Sequence, residues 1–270
     1  MLYQPRLVPP RLAELWGLSP QWTEAIARRE SCNCAWCGAK LRARRIAAVL
    51  LATYPVGDPS KLASSVAAWV RRPECQPLRL AEINQIEGLH DVLRALPGLA
   101  YSEYQEGVEP GAEVDRVRCE NLTRLTYPDE SFDLVLTSET LEHVPDLDAA
   151  LREIHRILVP GGRHIFTVPV LPDVPLTFAR AELMPDGTIV PRVPLIHHPG
   201  GDHGYPVFTE FGADWPDLLR NAGFETTVTL GSSTEEDLTP VFNCRKAESD
   251  SIGSAGPRLP HPREDASRSR

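Results

Sequence analysis

From Leu78 onward, short apolar runs alternate with stretches of helical period, a grain that predicts β/α units and a parallel sheet. The runs place strands at 78–83, 98–103, 115–119, 132–137 and 162–168. Before the last of these, Leu147, Ala150, Leu151, Ile154, Ile157 and Leu158 form one stripe, with Arg152 and Glu153 turned away. That spacing predicts a helix over 146–159, ended by Pro160-Gly161-Gly162. A further helix is expected over 209–221, closed by Gly223 and followed by strands at 224–230 and 240–244. Upstream, short helices are expected at 11–16 and 21–29. A longer one at 41–54 sets Leu41, Ile46, Val49, Leu50 and Tyr54 opposite Arg42, Arg44 and Arg45. Another, over 61–70, is capped by Ser60 and stopped by Arg72-Pro73. Residues 169–205 read as a long loop rich in proline and histidine, with a turn at Pro185-Asp186-Gly187. Beyond Lys246, serine, proline, glycine, arginine and glutamate follow without periodicity. The chain therefore divides into a helical, cysteine-containing N-terminal cap (1–75), an α/β domain (76–245) and a tail expected to be disordered (246–270).

Composition narrows the partners. Across 270 residues, 42% hydrophobic and 24% charged side chains exclude wholesale disorder, collagen and coiled-coil classes. Lys+Arg 28 against Asp+Glu 37 gives a net charge of −9, which argues against a broad phosphate-binding face and so against nucleic acid as partner. The longest strongly apolar run, from Ile46 to Ala52, is far short of the ~20 residues that cross a bilayer. The first residues carry prolines where a secretory signal would be continuously apolar, so a cytoplasmic location is expected.

Cysteine usage points the same way, to a reducing compartment. Cys32-x-Cys34-x-x-Cys37-Gly38 is half of a zinc knuckle, which needs a fourth ligand from Cys75 or a histidine; otherwise these are ordinary buried or free thiols. The neighbouring Lys40, Arg42, Arg44 and Arg45 are either a solvated face or a receiver of anions.

In an open α/β sheet, ligands sit beyond the carboxyl ends of the strands, and a ribose is held by an acid about 20 residues after the first strand's loop. Glu82 closes the first expected strand and Glu103 the second. Glu103 is thus either a ribose ligand or a solvated acid at a strand end.

Three linked motifs go further: Tyr127-Pro-Asp-Glu-Ser-Phe-Asp-Leu-Val135, then Leu141-Glu-His-Val-Pro145, then Glu153-Ile-His-Arg-Ile-Leu-Val-Pro-Gly-Gly-Arg163. In this order and spacing they resemble the core of class I S-adenosylmethionine-dependent methyltransferases, over about residues 78–230. The resemblance implies a Rossmann-like, doubly wound, mostly parallel sheet with an antiparallel last strand, and S-adenosyl-L-methionine over the first two strand ends. It implies that Glu103 holds the ribose, that Asn121 and the Leu122 amide meet the adenine, and that Ser138 and Glu139 face the methionine moiety. The first loop departs from the usual Gly-x-Gly-x-Gly. It reads Glu82-Ile83-Asn84-Gln85-Ile86-Glu87-Gly88, so only Gly88 matches, and Ile86 is a steric cost. Glu-Ile-Asn at 82–84, with Ser-x-Thr-Leu-Glu-His-Val at 138–144 and Thr-Glu-Phe-Gly-Ala-Asp at 209–214, is similar to a methyltransferase-like subgroup in which Glu-Ile-Asn is the usual first motif. There Asn84 would replace glycine through its tolerance of positive φ, with its amide at the cofactor's amino-acid end.

Methyl transfer chiefly needs alignment and at most one general base. His143 and the loop residues His197, His198, Asp202 and His203 are the candidates. His143 reads equally as structural, and the loop histidines as acceptor-binding, plain surface or metal-binding. The leading reading is a methyltransferase acting on a small-molecule, glycan or lipid-linked acceptor. The alternatives are an inactive methyltransferase-like binding or assembly module, and a zinc-assisted nucleic-acid binder using 32–45.

Overall fold

The computed structural model describes residues 10–15, 19–35, 37–56, 65–170, 174–198, 204–231 and 239–248. Helices α1 (Pro10–Leu15), α2 (Pro20–Ser31), α3 (Leu41–Thr53) and α4 (Val66–Trp69) precede strand β1 (Leu80–Ile83). A short α5 (His90–Leu93) leads to β2 (Leu99–Glu103), the hairpin β3 (Glu113–Val114) and β4 (Val117–Cys119), and β5 (Phe132–Ser138). Helix α6 (Leu147–Ile157) feeds β6 (Leu158–Thr167). A crossover of short strands follows: β7 (Phe178–Ala179), β8 (Ala181–Leu183), β9 (Ile189–Pro191), β10 (His197–His198), β11 (Tyr205–Pro206) and β12 (Thr209–Glu210). The described chain closes with α7 (Trp215–Asn221), β13 (Phe224–Thr229) and β14 (Val241–Lys246).

The main sheet has eight strands in the order β13-β14-β6-β5-β1-β2-β4-β3. Strands β4, β2, β1, β5 and β6 are parallel, while β14 inserts antiparallel between β6 and β13. This is the doubly wound sheet with an antiparallel last strand that the resemblance implied. The order reverses at β1, which pairs with β2 on one side and β5 on the other, so a crevice opens beyond their carboxyl ends.

Both faces of the sheet are covered, and successive strand residues divide between them. Ala81, Ile83, Val135 and Phe166 pack with α6 and α7 through Leu151, Ile154, Trp215 and Leu219. Leu80, Leu134, Leu136 and Ile165 face the other way, onto Ile46 and Leu50 of α3, Trp69 of α4 and Leu93 of α5. Helices α3 and α4 therefore form a layer of the α/β core itself, and the division expected at residue 75 corresponds to no break in packing. The stripe expected on α6 is buried as read, and the Asp146 side chain caps the helix by accepting from the Ala149 N–H at 2.9 Å, worth about 1 kcal/mol.

The crossover expected as a loop is folded. β7 pairs with β12, β8 with β9 and β10 with β11. Arg180 and Glu210, both buried, form an ion pair across it. The helix expected from 209 begins only at Trp215, because Thr209 and Glu210 are used as a strand and Asp214 turns its Oδ1 to the Thr177 N–H and hydroxyl, at 2.6 and 2.8 Å. Residues 249–270 of the expected tail, the 61–64 part of the expected helix, and Asp202 and His203 lie outside the described residues. Among the described residues no helix is long and apolar enough to cross a membrane.

Candidate active site

The lips of the crevice are two left-handed residues that are not glycine. Asn84, one residue past β1, has φ 63, and Glu139, one residue past β5, has φ 51. Each such residue costs of order 1–3 kcal/mol unless its surroundings hold it. Here they do. The Asn84 N–H donates to the Ser102 carbonyl at 2.9 Å, its Oδ1 accepts from the Tyr104 N–H at 3.1 Å, and the Glu139 N–H donates to the Thr167 carbonyl at 3.0 Å. Asn84 thus takes the backbone role expected of it, but its side-chain carbonyl secures the end of β2.

The loop between β1 and α5 is set by buried groups. Glu82 is fully buried; its Oε1 accepts from the Ile86 N–H at 2.9 Å and its Oε2 meets His90 Nδ1 at 2.6 Å. Burial pushes the Glu82 carboxyl up, against the pull of these two bonds. Ile86 turns its side chain into the apolar layer with Leu89, Leu93 and Ile46. The steric cost expected of it does not arise, since its branch occupies core rather than crevice. Gly88 has φ 76, and a Cβ there would lie 2.6 Å from the Ala39 Cα. The glycine is required by the N-terminal segment lying against it. The hairpin at 33–40, closed by Asn33↔Lys40, delivers Ala39 to that position, and Lys40 Nζ reaches Glu87 Oε2 at 2.8 Å.

On the other side, Glu103 stands half-buried at the end of β2 and accepts from the Tyr101 hydroxyl, while His90 lies over the Tyr101 ring at 4.2 Å. After β4, the fully buried Glu120 holds the next turn by accepting from the Thr126 N–H at 2.9 Å and its hydroxyl at 2.5 Å. Asn121 Oδ1 accepts from the Thr123 N–H and hydroxyl at 2.9 and 2.8 Å, so only its amide nitrogen is left for a ligand; Leu122 is buried beside it. Ser138 Oγ meets Thr167 Oγ1 at 3.0 Å. The Glu139 carboxylate pairs with Arg29 of α2, and its Oε1 is buried with no hydrogen bond among the described residues. Helix α2 therefore lies over the strand ends. Arg29 and Arg42 hold the Glu30 carboxyl below its usual range although burial works against them.

Of the histidines, the fold brings two together. His143, in the turn after β5, and His198, on β10, have ring centroids 4.9 Å apart. Between them lies the fully buried carboxylate of Glu142, with Oε1 3.7 Å from His143 Nε2 and 3.7 Å from His198 Nδ1. Burial pushes Glu142 up and holds His198 down at about 3, with repulsion from His143 and Arg29 adding to the latter. His197, the preceding residue, is exposed. Glu142 and Arg29 were not singled out from sequence. Glu142 carried a signal, an acid directly before a histidine just past a strand; Arg29 carried none, since its pairing with Glu139, 110 residues away, is tertiary.

The zinc expected on Cys32, Cys34 and Cys37 is not supported. Among the described residues the three sulfurs do not converge within ligand-sharing distance, and the donor set that does is Glu142, His143 and His198. Cys34 is instead tied back by the main chain, with the Gly38 N–H on the Cys34 carbonyl and the Cys34 N–H on the Ala39 carbonyl, both at 2.9 Å.

Comparison with known proteins gives this geometry a setting. Residues 98–166 match the model of the methyltransferase domain family. The chain is 33% identical over 99 residues to the methyltransferase GfsG of Streptomyces halstedii, covering 36% of this chain and 31% of that one. It is 52% identical over 52 residues to the ubiquinone/menaquinone biosynthesis C-methyltransferase UbiE of Xanthomonas campestris pv. campestris, covering 19% of this chain and 20% of that one. The matches thus span under a third of either relative's length. A solved S-adenosylmethionine-dependent methyltransferase from Mesorhizobium loti aligns with a TM-score of 0.43 at 17% identity, over 67% of this chain and 98% of that one.

Proposed function

On the premise that this chain belongs, through residues 98–166, to the methyltransferase domain family, we propose that it binds S-adenosyl-L-methionine over the ends of β1 and β2 and methylates a small-molecule acceptor. When bound, the cofactor supplies an electrophilic methyl group on a sulfonium. Glu103 would take the ribose hydroxyls, and the Asn121 amide nitrogen with the Leu122 N–H the adenine edge. Asn84, Gly88, Ser138 and Glu139 would surround the amino-acid end. Two features suit such a ligand: Ile86 is turned into the core, and Asn84 adopts the left-handed turn usually left to glycine. The protein's main contribution is alignment, worth up to about 7–11 kcal/mol in well-oriented systems.

One observation carries this reading, the pair of left-handed residues Asn84 and Glu139, each one residue past the adjacent strands β1 and β5 where strand order reverses. The name of UbiE, a ubiquinone/menaquinone biosynthesis C-methyltransferase, favours a small acceptor, with a glycan or lipid-linked sugar in the same range, and the net charge of −9 disfavours nucleic acid. Reduced thiols suit a cytoplasmic setting. A second reading, a module without turnover, is favoured by how many polar atoms at the crevice are spent inside the chain, those of Glu82, Asn84 and Asn121 and the Arg29–Glu139 pair among them. Calorimetric titration with S-adenosylhomocysteine separates the two. Saturable binding that Glu103→Ala weakens at least tenfold is the expected result, and absence of heat from the unmodified chain at high ligand concentration would leave only the module.

A further inference from the structure

Among the described residues, Glu142 is the one fully buried carboxylate with neither oxygen hydrogen-bonded. A carboxylate withdrawn from water without donors carries a heavy desolvation penalty unless a cation meets it. The groups that approach it are imidazoles. His143 Nε2 and His198 Nδ1 each stand 3.7 Å from Oε1, and one ligating atom from each of the three residues lies within 4.8 Å of the others.

The tautomer of His143 is fixed by its surroundings. Its Nδ1 is 2.8 Å from the Pro206 carbonyl, which can only accept, so Nδ1 carries a proton and Nε2 is the ring nitrogen turned toward Glu142. An outer ring N–H tied to a main-chain carbonyl is the arrangement that orients a metal-bound histidine. The same segment secures the other two members. The Phe208 N–H donates to the Glu142 carbonyl at 2.7 Å, and His198 pairs with Tyr205 in the β10–β11 ribbon. Three donors from two distant parts of the chain are thus held by one clamp.

We propose that Glu142, His143 and His198 bind one divalent first-row transition metal, with coordination positions left open for an oxygen of the methyl acceptor. Two imidazoles and a carboxylate suit zinc, iron or manganese rather than calcium or magnesium, which favour all-oxygen shells. Ligands sharing such a metal at about 2.0–2.2 Å sit roughly 3 Å apart, so side-chain torsions suffice to close the set. Three protein ligands leave room for a substrate oxygen, whose proton a metal makes easier to lose. The set begins three residues past Glu139, on the same end of the sheet as the crevice. The acceptor's identity as an oxygen donor rests on the methyltransferase reading; the metal site does not.

Cobalt(II) serves as the probe, added to the full chain after chelator treatment and dialysis. One equivalent per chain is expected, with visible d–d absorption and paramagnetically shifted imidazole N–H resonances. Glu142→Gln and His198→Ala should each weaken cobalt binding at least tenfold, while Cys34→Ser leaves it within twofold. Circular dichroism melts identify any variant that fails to fold, and the imidazole resonances of the unmodified chain then decide. No saturable cobalt binding, no shifted imidazole signal, survival of binding in both variants, or its loss with Cys34→Ser would each overturn the proposal. S-adenosylhomocysteine calorimetry runs in parallel. Cobalt binding without nucleoside binding would sink the methyltransferase reading alone, and the reverse result would sink the metal alone.

Discussion

At φ 63, a side chain at position 84 is pressed against its own carbonyl, which costs most residues about 1–2 kcal/mol and asparagine less. Asn84→Val adds branching at Cβ and forfeits the bond to the Tyr104 N–H, so a loss of about 2 kcal/mol in urea unfolding is expected. Asn84→Gly relieves the backbone and loses the same bond, and should stay within about 1 kcal/mol of the parent. His164 offers a different handle. It is fully buried on β6, stacked on Phe166 at 4.2 Å, with Nε2 on the Thr137 hydroxyl at 2.9 Å, and burial lowers its pKa to about 3. In the unfolded chain the ring protonates near 6.5, as the usual value for histidine dictates. Its contribution to stability is therefore complete above pH 6.5 and is lost as pH falls toward 3. Between pH 6 and 4, His164→Gln should remove up to about 1.4 kcal/mol of pH dependence per unit from the unfolding free energy; equal slopes for parent and variant would contradict this. Both residues stood in plain view in the chain. Asn84 could be read because a departure from a glycine pattern names its own backbone demand. His164 carries a plainer signal, since a lone polar residue amid apolar neighbours on a strand has nowhere to point but the core.

Most strands of the main sheet were legible to within a few residues, because the central ones are runs of apolar side chains buried on two faces, as β1, β5 and β14 are. The paired ribbons between β6 and α7 were not. Strands of two or three residues such as β7 and β12 carry no periodicity, and what fixes them is tertiary, the Arg180–Glu210 pair and the Asp214 turn. The candidate site divides along the same line. Positions that follow long strands, Glu103, Ser138 and Glu139, could be placed from motif spacing, whereas the meeting of His198 with His143 depends on ribbons that spacing cannot see. The 33–40 hairpin is a further case, a cysteine pattern that read as metal-binding and turned out to be a short prop. Its weight rests on Gly88. Gly88→Ala puts a methyl group 2.6 Å from the Ala39 Cα in a left-handed turn, and should cost about 1–3 kcal/mol. Limited proteolysis should then cut the hairpin sooner than in the parent; unchanged cleavage rates would mean that Ala39 does not depend on this contact.

At the scale of the whole molecule, helices α3 and α4 are core and not a removable cap. Helices α3 and α4 cover Leu80, Leu134, Leu136, Ile165 and Val241, so a chain starting at Gln76 would expose an apolar face along the middle of the sheet. Such a truncation should lose its cooperative melt and bind a hydrophobic dye. A chain starting at Lys40 keeps that layer and should melt cooperatively, having lost only the roof supplied by α2. Equal behaviour of the two truncations would show that the core closes without α3. The sequence division at residue 75 takes no account of this packing, for a physical reason. Helical period reports that a segment has an apolar side, and says nothing of which surface that side will meet.

The antiparallel strand has a consequence for synthesis. Strand β14 is made after every other strand of the sheet, yet it belongs between β6 and β13 rather than at an edge. While the nascent chain leaves the ribosome at about 5–20 residues per second, β6 must wait with one row of peptide groups bare, a template for stray pairing. This molecule's most vulnerable moment should fall in the seconds before its final strand slots in, when a holding chaperone would matter most.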